Sequence, residues 1–172
     1  MLPQNVQTMF LKNTVLEELE SDMNFINSLP YDISHLLHKH PYDISGGEQQ
    51  LIAIAKVLKL NPSILLLDEA SKGLDANSKI KLADIIKKLK QSGITIIAVS
   101  HDTEFAALCA DRCGLLFHGE IVSCSTPDKF FSENTFYTTS ASRMTRDYYD
   151  YAVTIDDVAE LCRINGLKED LK

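Results

Sequence analysis

Three short groups of polar residues could carry chemistry in this sequence. Ser45, Gly46 and Gly47 precede an apolar-periodic segment, Asp68-Glu69 follows an aliphatic run, and His101 follows a second apolar run. A helix N-terminus offers unpaired N–H groups and partial positive charge, and glycines there let a phosphate approach the backbone. An aspartate at a strand end can hold Mg²⁺, and an adjacent glutamate can orient or deprotonate a water. All three groups are compatible with phosphate chemistry.

Each group also has a simpler explanation when it is taken alone. The tripeptide at 45–47 is equally typical of a capped helix entered through a flexible Gly-Gly, and Asp68-Glu69 of a strand that ends in exposed acids. A lone histidine such as His101 is more often structural than catalytic, and Gln4 has no meaning by itself.

Apolar periodicity predicts the elements that would position these groups. The predicted helices run from Thr14 up to Pro30, from Ser45 up to Asn61-Pro62, from Asn77 to Gln91, around Phe105 and Leu108, and from Thr154 to Asn165, where Gly166 would stop the last. The predicted strands are 64–67, 94–99, 113–117 and 120–123, with a turn at His118-Gly119. The first dozen residues are predicted to be loop. The run at 64–67 is apolar at every position and that at 94–99 at every position but Thr95, which is typical of strands buried on both faces of a parallel sheet.

This alternation predicts an α/β fold with a parallel sheet flanked by helices. Ligands bind beyond the carboxyl ends of such strands, and Asp68-Glu69 and His101 lie at two of those ends. We expect three segments: a helical part (1–60), a core part (61–131) and a C-terminal accessory segment (132–172).

Composition narrows the classes of function. The chain of 172 residues has 17 basic and 24 acidic residues, a net charge of −7, so we expect no binding of nucleic acid through its phosphates. No apolar run approaches the roughly 18 residues that span a bilayer. The four cysteines show neither metal-ligand spacing nor a disulfide framework, which favours a reducing cytoplasm. Cys109 and Cys113 are four residues apart and could share a helix face.

The order of the polar groups resembles that of the ATP-binding cassette (ABC) ATPases, over roughly residues 2 to 124. Gln4 matches the Q-loop glutamine, residues 44–48 (Ile-Ser-Gly-Gly-Glu) the signature motif, and residues 64–68 (Ile-Leu-Leu-Leu-Asp) Walker B. Residues 71–75 (Ser-Lys-Gly-Leu-Asp) match the D-loop, and His101 the switch histidine. The resemblance implies a partial P-loop NTPase fold with a helical signature subdomain.

The resemblance also implies a role for each residue, with ATP and Mg²⁺ as cofactors. Asp68 would hold Mg²⁺, Glu69 would polarise the attacking water, and His101 would contact the γ-phosphate. Gln4 would couple Mg²⁺ and the water to a transmembrane partner. Ser45, Gly46, Gly47, Glu48 and Asp75 would act across a head-to-tail dimer with a second cassette. Met9, Phe10 and Leu11 are candidates to line a groove for the membrane subunit, or are plain core.

Three further stretches, LPQNVQTMF, DEASKGLD and FYTTSASRM, look like the energy-coupling-factor branch, which takes up vitamins and metal ions such as cobalt. The resemblance therefore implies an importer ATPase that is cytoplasmic and peripheral on the inner face of the cell membrane.

Two features depart from the family pattern. No Gly-x-x-x-x-Gly-Lys-Ser/Thr occurs among the seven glycines, so the sequence resembles a cassette from the Q-loop onward, without the P-loop that binds the phosphates. We therefore expect weak or no ATP binding by this chain alone, and exposed apolar surface that promotes association. Glu48 stands where the family more often has glutamine, and it can fold back on Ser45 as a capping box.

Two alternatives to a transport ATPase remain open. The chain could be a catalytically inactive cassette that acts only by pairing with a partner. It could also be a non-transport ABC-type ATPase that acts on DNA or ribosomes, which the net charge disfavours.

Overall fold

The computed structural model of the chain describes residues 1–134, 136–149 and 151–169. The chain divides into two compact units, residues 1–101 and 102–172. The three-part division made from the sequence stays a prediction.

The first unit is built around a short parallel sheet. Strand β1 (Ile64–Asp68) pairs in parallel with β2 (Thr95–Val99), with Ile64 opposite Thr95 and Asp68 opposite Val99. The helices of this unit are α1 (Val15–Glu18), α2 (Met23–Ser28), α3 (Gly46–Leu58) and α4 (Ala76–Gln91). The predicted α4 core positions Leu82, Ile85, Ile86 and Leu89 are all buried.

The opening residues are more ordered than predicted. Leu2 forms a parallel bridge with Leu67. The Leu2 amide donates to the Leu66 carbonyl (2.8 Å), and the Leu2 carbonyl accepts from the Asp68 amide (3.1 Å). A 3-10 helix follows at Val6–Met9, capped by the Asn5 side chain. The prediction of loop was therefore wrong at Leu2 and at Val6–Met9, since a single apolar residue beside β1 carries too little sequence pattern to be recognised.

The helix predicted from Thr14 to Pro30 is broken. The capping box of Thr14 and Glu17 forms as predicted, but Glu20 and Ser21 adopt positive φ (56° and 55°) and separate α1 from α2. Asp22 then caps α2 through the Phe25 amide (3.0 Å). An N-cap residue has a non-helical backbone, so the cap at Asp22 interrupts the predicted helix. The spacing of apolar residues continues across Asp22 and does not reveal this interruption.

The sheet is covered on one face only. Leu65 and Leu67 are buried, whereas the alternate residues Ile64 and Leu66 are 55% and 41% exposed. Ile97 and Val99 of β2 are also exposed, at 54% and 61%. The expectation of burial on both faces was wrong, because successive strand residues point to opposite faces and only one of these is packed. The expected exposure of apolar surface is confirmed.

The second unit contains α5 (Thr103–Cys109), the antiparallel hairpin of β3 (Cys113–Phe117) and β4 (Glu120–Ser125), and the helices α6 (Pro127–Glu133), α7 (Ser140–Thr145) and α8 (Ile155–Glu169). Its core is formed by Cys113, Phe130, Phe131 and Val153. The predicted turn at His118-Gly119 is confirmed, with positive φ at both residues.

One possibility and one expectation for this unit are not met. Cys109 ends α5 and Cys113 begins the predicted strand β3, so the shared helix face that their spacing allows does not form. Helix α8 continues past Gly166 to Glu169, because a glycine inside a helix costs only about 1 kcal/mol and does not force a stop.

Candidate functional site

The carboxyl edge of the sheet brings Asp68, Glu69 and His101 together. Asp68 is the last residue of β1, and the Glu69 amide donates to the Val99 carbonyl of β2 (2.9 Å). His101 lies two residues beyond Val99, and its Nδ1 is 2.7 Å from Oε2 of Glu69. Parallel strands end at one edge, which is why a sequence separation of 32 residues becomes a direct contact. The predicted proximity of these residues is thus seen in the structure, whereas their roles stay predictions.

The Glu69 carboxylate is held in an unusual way. Its Oε2 is buried and receives no hydrogen bond of proper geometry among the described residues, so the approach of His101 Nδ1 is a close contact and not a directed bond. The Glu69 backbone has φ of 51°, a region that a residue with a Cβ occupies at a cost of order 1 kcal/mol. A strained backbone at a strand end that aims a buried carboxylate oxygen is typical of a reactive site.

Gln4 reaches the same edge by a different route. Leu2 runs parallel to β1 beside Leu67, so the chain leaves this bridge toward the edge where Asp68 and Glu69 lie. Gln4 follows two residues later and is exposed. The sheet therefore gathers three neighbouring chain segments, each with a polar residue at its end.

The signature tripeptide (Ser45, Gly46 and Gly47) stands at the start of α3 and has the predicted capping box. The Ser45 hydroxyl accepts from the Glu48 amide (3.3 Å), while Oε2 of Glu48 accepts from the Ser45 amide (2.8 Å) and hydroxyl (2.7 Å). These bonds from Ser45 hold the pKa of Glu48 below its usual value. Ser45 and Gly46 are exposed, so the amino end of this 13-residue helix faces solvent.

Asp75 of the D-loop caps the other long helix of the unit. Its carboxylate accepts from the Ser78 amide at the start of α4 (2.8 Å), and hydrogen bonds from Ser78 lower the pKa of Asp75. Gly73 enters the cap with φ of 74°, which glycine adopts without strain. The D-loop is thereby fixed to the first turn of α4.

Sequence reasoning missed a buried ion pair behind the signature helix. Glu18 is 6% exposed, and its carboxylate accepts from the Leu11 amide, the Lys12 amide (2.6 Å) and Lys56 Nζ of α3. Lys56 also donates to the Met9 carbonyl. Burial raises the pKa of Glu18, but the bonds from Lys56, Lys12 and Leu11 outweigh it and leave that pKa below its usual value. No sequence signal marks Glu18, since its neighbours Glu17 and Glu20 are also acidic.

This ion pair holds residues 9–12 through backbone hydrogen bonds, and that segment contains the residues predicted to line the groove for a membrane subunit. Phe10 is buried beneath Lys56, Met9 is half-buried, and Leu11 is 85% exposed. Of the three candidates, Phe10 is core and Leu11 is presented to solvent.

The side chains at the sheet edge would hold Mg²⁺ only if phosphate oxygens supplied further ligands. Among the described residues no group of three or more His, Cys, Asp or Glu side chains forms a metal cage. Mg²⁺ commonly uses one or two protein carboxylates together with substrate phosphates and water, and Asp68 at the end of β1 suits that mode. No helix in the described parts of the chain is long and apolar enough to cross a membrane.

Comparison with known proteins finds relatives among the ABC transporter ATP-binding proteins. Residues 1–72 match the model of the ABC transporter family. An ABC transporter ATP-binding protein of Bacillus anthracis is 46% identical over 128 residues, which cover 74% of this chain and 23% of that protein. Other relatives are the amino-acid ABC transporter ATP-binding protein YhdZ of Escherichia coli (42% over 100 residues, 58% of this chain and 40% of the relative) and the energy-coupling factor transporter ATP-binding protein EcfA2 of Lactococcus lactis (39% over 98 residues, 57% and 34%).

Solved structures give the same fold. Clostridium perfringens cbiO1, part of the ABC transporter complex cbiONQ, superposes with a TM-score of 0.67 at 25% identity, over 76% of this chain and 57% of cbiO1. The predicted α/β fold of the ABC ATPases is confirmed. The chain matches 23–40% of the length of the three relatives named.

Proposed function

This chain has the fold and the ATP-binding relatives of the ABC transporter ATPases, and we propose that it supplies catalytic and signature residues to an ATP site shared with a second cassette. The observation that carries this proposal is the contact of His101 with Glu69 at the sheet edge that also ends in Asp68. Because these residues converge from two strands, a phosphate bound beyond the edge would meet all three.

In this proposal each side chain has one task. Asp68 holds Mg²⁺, which when bound neutralises charge on the phosphates. Glu69 accepts a hydrogen bond from the attacking water through its carboxylate. His101, which is largely exposed, approaches the γ-phosphate from the neighbouring strand while its Nδ1 holds Glu69 in place. Gln4, on the third segment, joins the metal and water to the membrane-facing surface.

The signature tripeptide acts on a different nucleotide. Among the described residues no hydrogen bond joins Ser45, Gly46 or Gly47 to the group at the sheet edge. We therefore assign the exposed amino end of α3 to a phosphate held by the P-loop of the partner cassette, where helix N–H groups and dipole favour the anion. Asp75 would lie along the same dimer interface.

ATP turnover by a mixture of two cassettes tests this division. The partner carries an intact P-loop, and its own signature serine is replaced by arginine, so turnover requires Ser45 of this chain. We expect activity on mixing that Ser45→Ala reduces, because the hydroxyl is a direct phosphate donor. Ser63→Ala is the matched control, since Ser63 is exposed at the opposite end of β1. Absence of activity in every mixture would refute a catalytic role and favour an inert cassette that only pairs.

Glu69→Gln tests catalysis by this chain itself. In a fusion of this chain to the P-loop segment of a related cassette, the substitution keeps the size and polarity of the side chain but removes the base. A loss of hydrolysis with retained ATP binding supports the assignment, whereas unchanged turnover contradicts it.

For the transported substrate we propose a vitamin or a metal ion. The likeness to EcfA2 and to cbiO1 supports this class. Amino-acid uptake is the second candidate, because YhdZ shares 42% identity over a similar stretch. A test of the two substrate classes measures uptake of labelled cobalt, a vitamin and an amino acid by cells that carry the chain as wild type or as Glu69→Gln. The substrate whose uptake falls with Glu69→Gln identifies the class. Salt-sensitive binding of DNA or RNA would instead favour a non-transport ATPase.

A further inference from the structure

The packing around Gly47 gives a reason for glycine at this position that is separate from phosphate binding. Its φ is not positive, so its backbone does not require glycine. A Cβ built on Gly47 would lie 2.8 Å from Oγ and 3.2 Å from Cβ of Ser78, and 3.9 Å from Cδ2 of Leu74. A Cβ built on Gly46 would meet nothing within 4 Å. The two glycines of the signature tripeptide therefore have different surroundings.

The contact at Gly47 joins α3 to α4. Ser78 lies in the first turn of α4, and its amide donates to the Asp75 carboxylate (2.8 Å). The Ser78 side chain lies against Gly47 in the first turn of α3. One residue thus contacts both the signature tripeptide and the D-loop aspartate.

The obstruction cannot be removed by a rotamer change alone. Oγ of Ser78 can rotate away from an added methyl group, but Cβ of Ser78 is fixed to the α4 backbone. A Cβ–Cβ separation of 3.2 Å is shorter than ordinary van der Waals contact, which is about 3.5–4.0 Å between carbon atoms. A side chain at Gly47 would therefore push the first turns of α3 and α4 apart.

We propose that Ser78 is a positioning residue that sets the distance between the signature tripeptide and Asp75, and that Gly47 is glycine so that Ser78 can approach. Gly46 remains the residue through which a phosphate can reach the helix amides. This inference rests on the proposed function, because the two positioned segments act in the shared ATP site.

Unfolding of the full chain tests the contact without any nucleotide. Four proteins form a cycle: wild type, Gly47→Ala, Ser78→Gly and the double variant. Gly46→Ala is the matched control, and we expect it to raise the urea midpoint because alanine is the better helix former and meets no obstacle. Gly47→Ala should lower the midpoint in the Ser78 background and raise it in the Ser78→Gly background. Equal increases for Gly46→Ala and Gly47→Ala would overturn the contact.

ATP turnover with the P-loop-bearing partner tests the positioning role. A displacement near 1 Å can cost about 100-fold in rate, so we expect Gly47→Ala to lower kcat by up to that factor. The KM for ATP should change little, because the partner's P-loop binds the nucleotide. Adding Ser78→Gly should restore at least a tenth of wild-type turnover. If Gly47→Ala is equally inactive in both backgrounds, Gly47 is needed by the phosphate and the proposal is wrong.

The two measurements keep the hypotheses apart. If wild type gives no turnover in any mixture, the proposed function fails and the positioning role fails with it. The unfolding cycle still decides in that case whether Ser78 is the reason for glycine at position 47.

Discussion

The buried pair of Glu18 and Lys56 gives the sharpest stability prediction. The Lys56→Met substitution removes the cation that pairs with the Glu18 carboxylate while keeping the apolar stem over Phe10. The carboxylate then stays buried with the Leu11 and Lys12 amides as its donors. Breaking one side of a buried pair costs about 3–5 kcal/mol, and the 21% exposure of the Lys56 side chain places this case at about 3 kcal/mol.

A second substitution separates the charge from the packing. Glu18→Gln added to Lys56→Met removes the uncompensated charge, so the double variant should be more stable than Lys56→Met by about 1–2 kcal/mol. Urea unfolding at pH 7, followed by circular dichroism, measures both differences. With a slope of about 2 kcal/mol per M, Lys56→Met should shift the midpoint by about 1.5 M.

Lys87→Met is the matched control, since Lys87 is exposed on α4 and should change stability by less than about 0.5 kcal/mol. If Lys56→Met has an effect no larger than this control, or if the two substitutions at the pair simply add, the pair does not stabilise the fold as argued.

Four further outcomes are expected. The stabilising contribution of Glu18 should be complete above its usual pKa of 4.5 and should be lost as the pH falls through its lower pKa in the folded state. The difference in urea midpoint between wild type and Glu18→Gln should therefore disappear in acid. Glu48→Ala should lower the free energy of unfolding by about 1 kcal/mol, measured by urea unfolding, because the capping box is lost; an unchanged midpoint would show that α3 needs no such cap. Replacing exposed Ile97 and Val99 by threonine should reduce concentration-dependent association in analytical ultracentrifugation, while Ser63→Thr, at an exposed polar position, should not. Gly93→Ala should cost about 1 kcal/mol on thermal or urea unfolding because Gly93 has φ of 95° with open space around it, and a stabilising effect would contradict that backbone conformation.

The sequence predicts best where a pattern is local and repeated. Both long helices of the first unit, the two parallel strands and the hairpin turn at His118-Gly119 were recognisable because periodicity and caps are written within a few residues. The convergence of Glu69 and His101 was also predictable, because parallel strands end at one edge.

The rest depends on contacts between distant residues. Glu18 and Lys56 are 38 residues apart, and neither has a sequence feature that distinguishes it from exposed charges nearby. The approach of Ser78 to Gly47 is likewise set by the packing of α3 on α4. The break at Glu20-Ser21 was missed because the apolar period continues across it.

The left-handed backbone of Glu69 lowers the stability of the fold at a position where the side chain is proposed to be needed for activity. A glycine there would adopt φ of 51° freely, and it would also remove the buried oxygen that lacks a donor. Selection for folding alone would therefore favour replacing this glutamate, whereas selection for hydrolysis would retain it. A library of Glu69 variants sorted separately for solubility and for turnover should diverge at this residue, and that divergence would measure how much stability the site gives up for its chemistry.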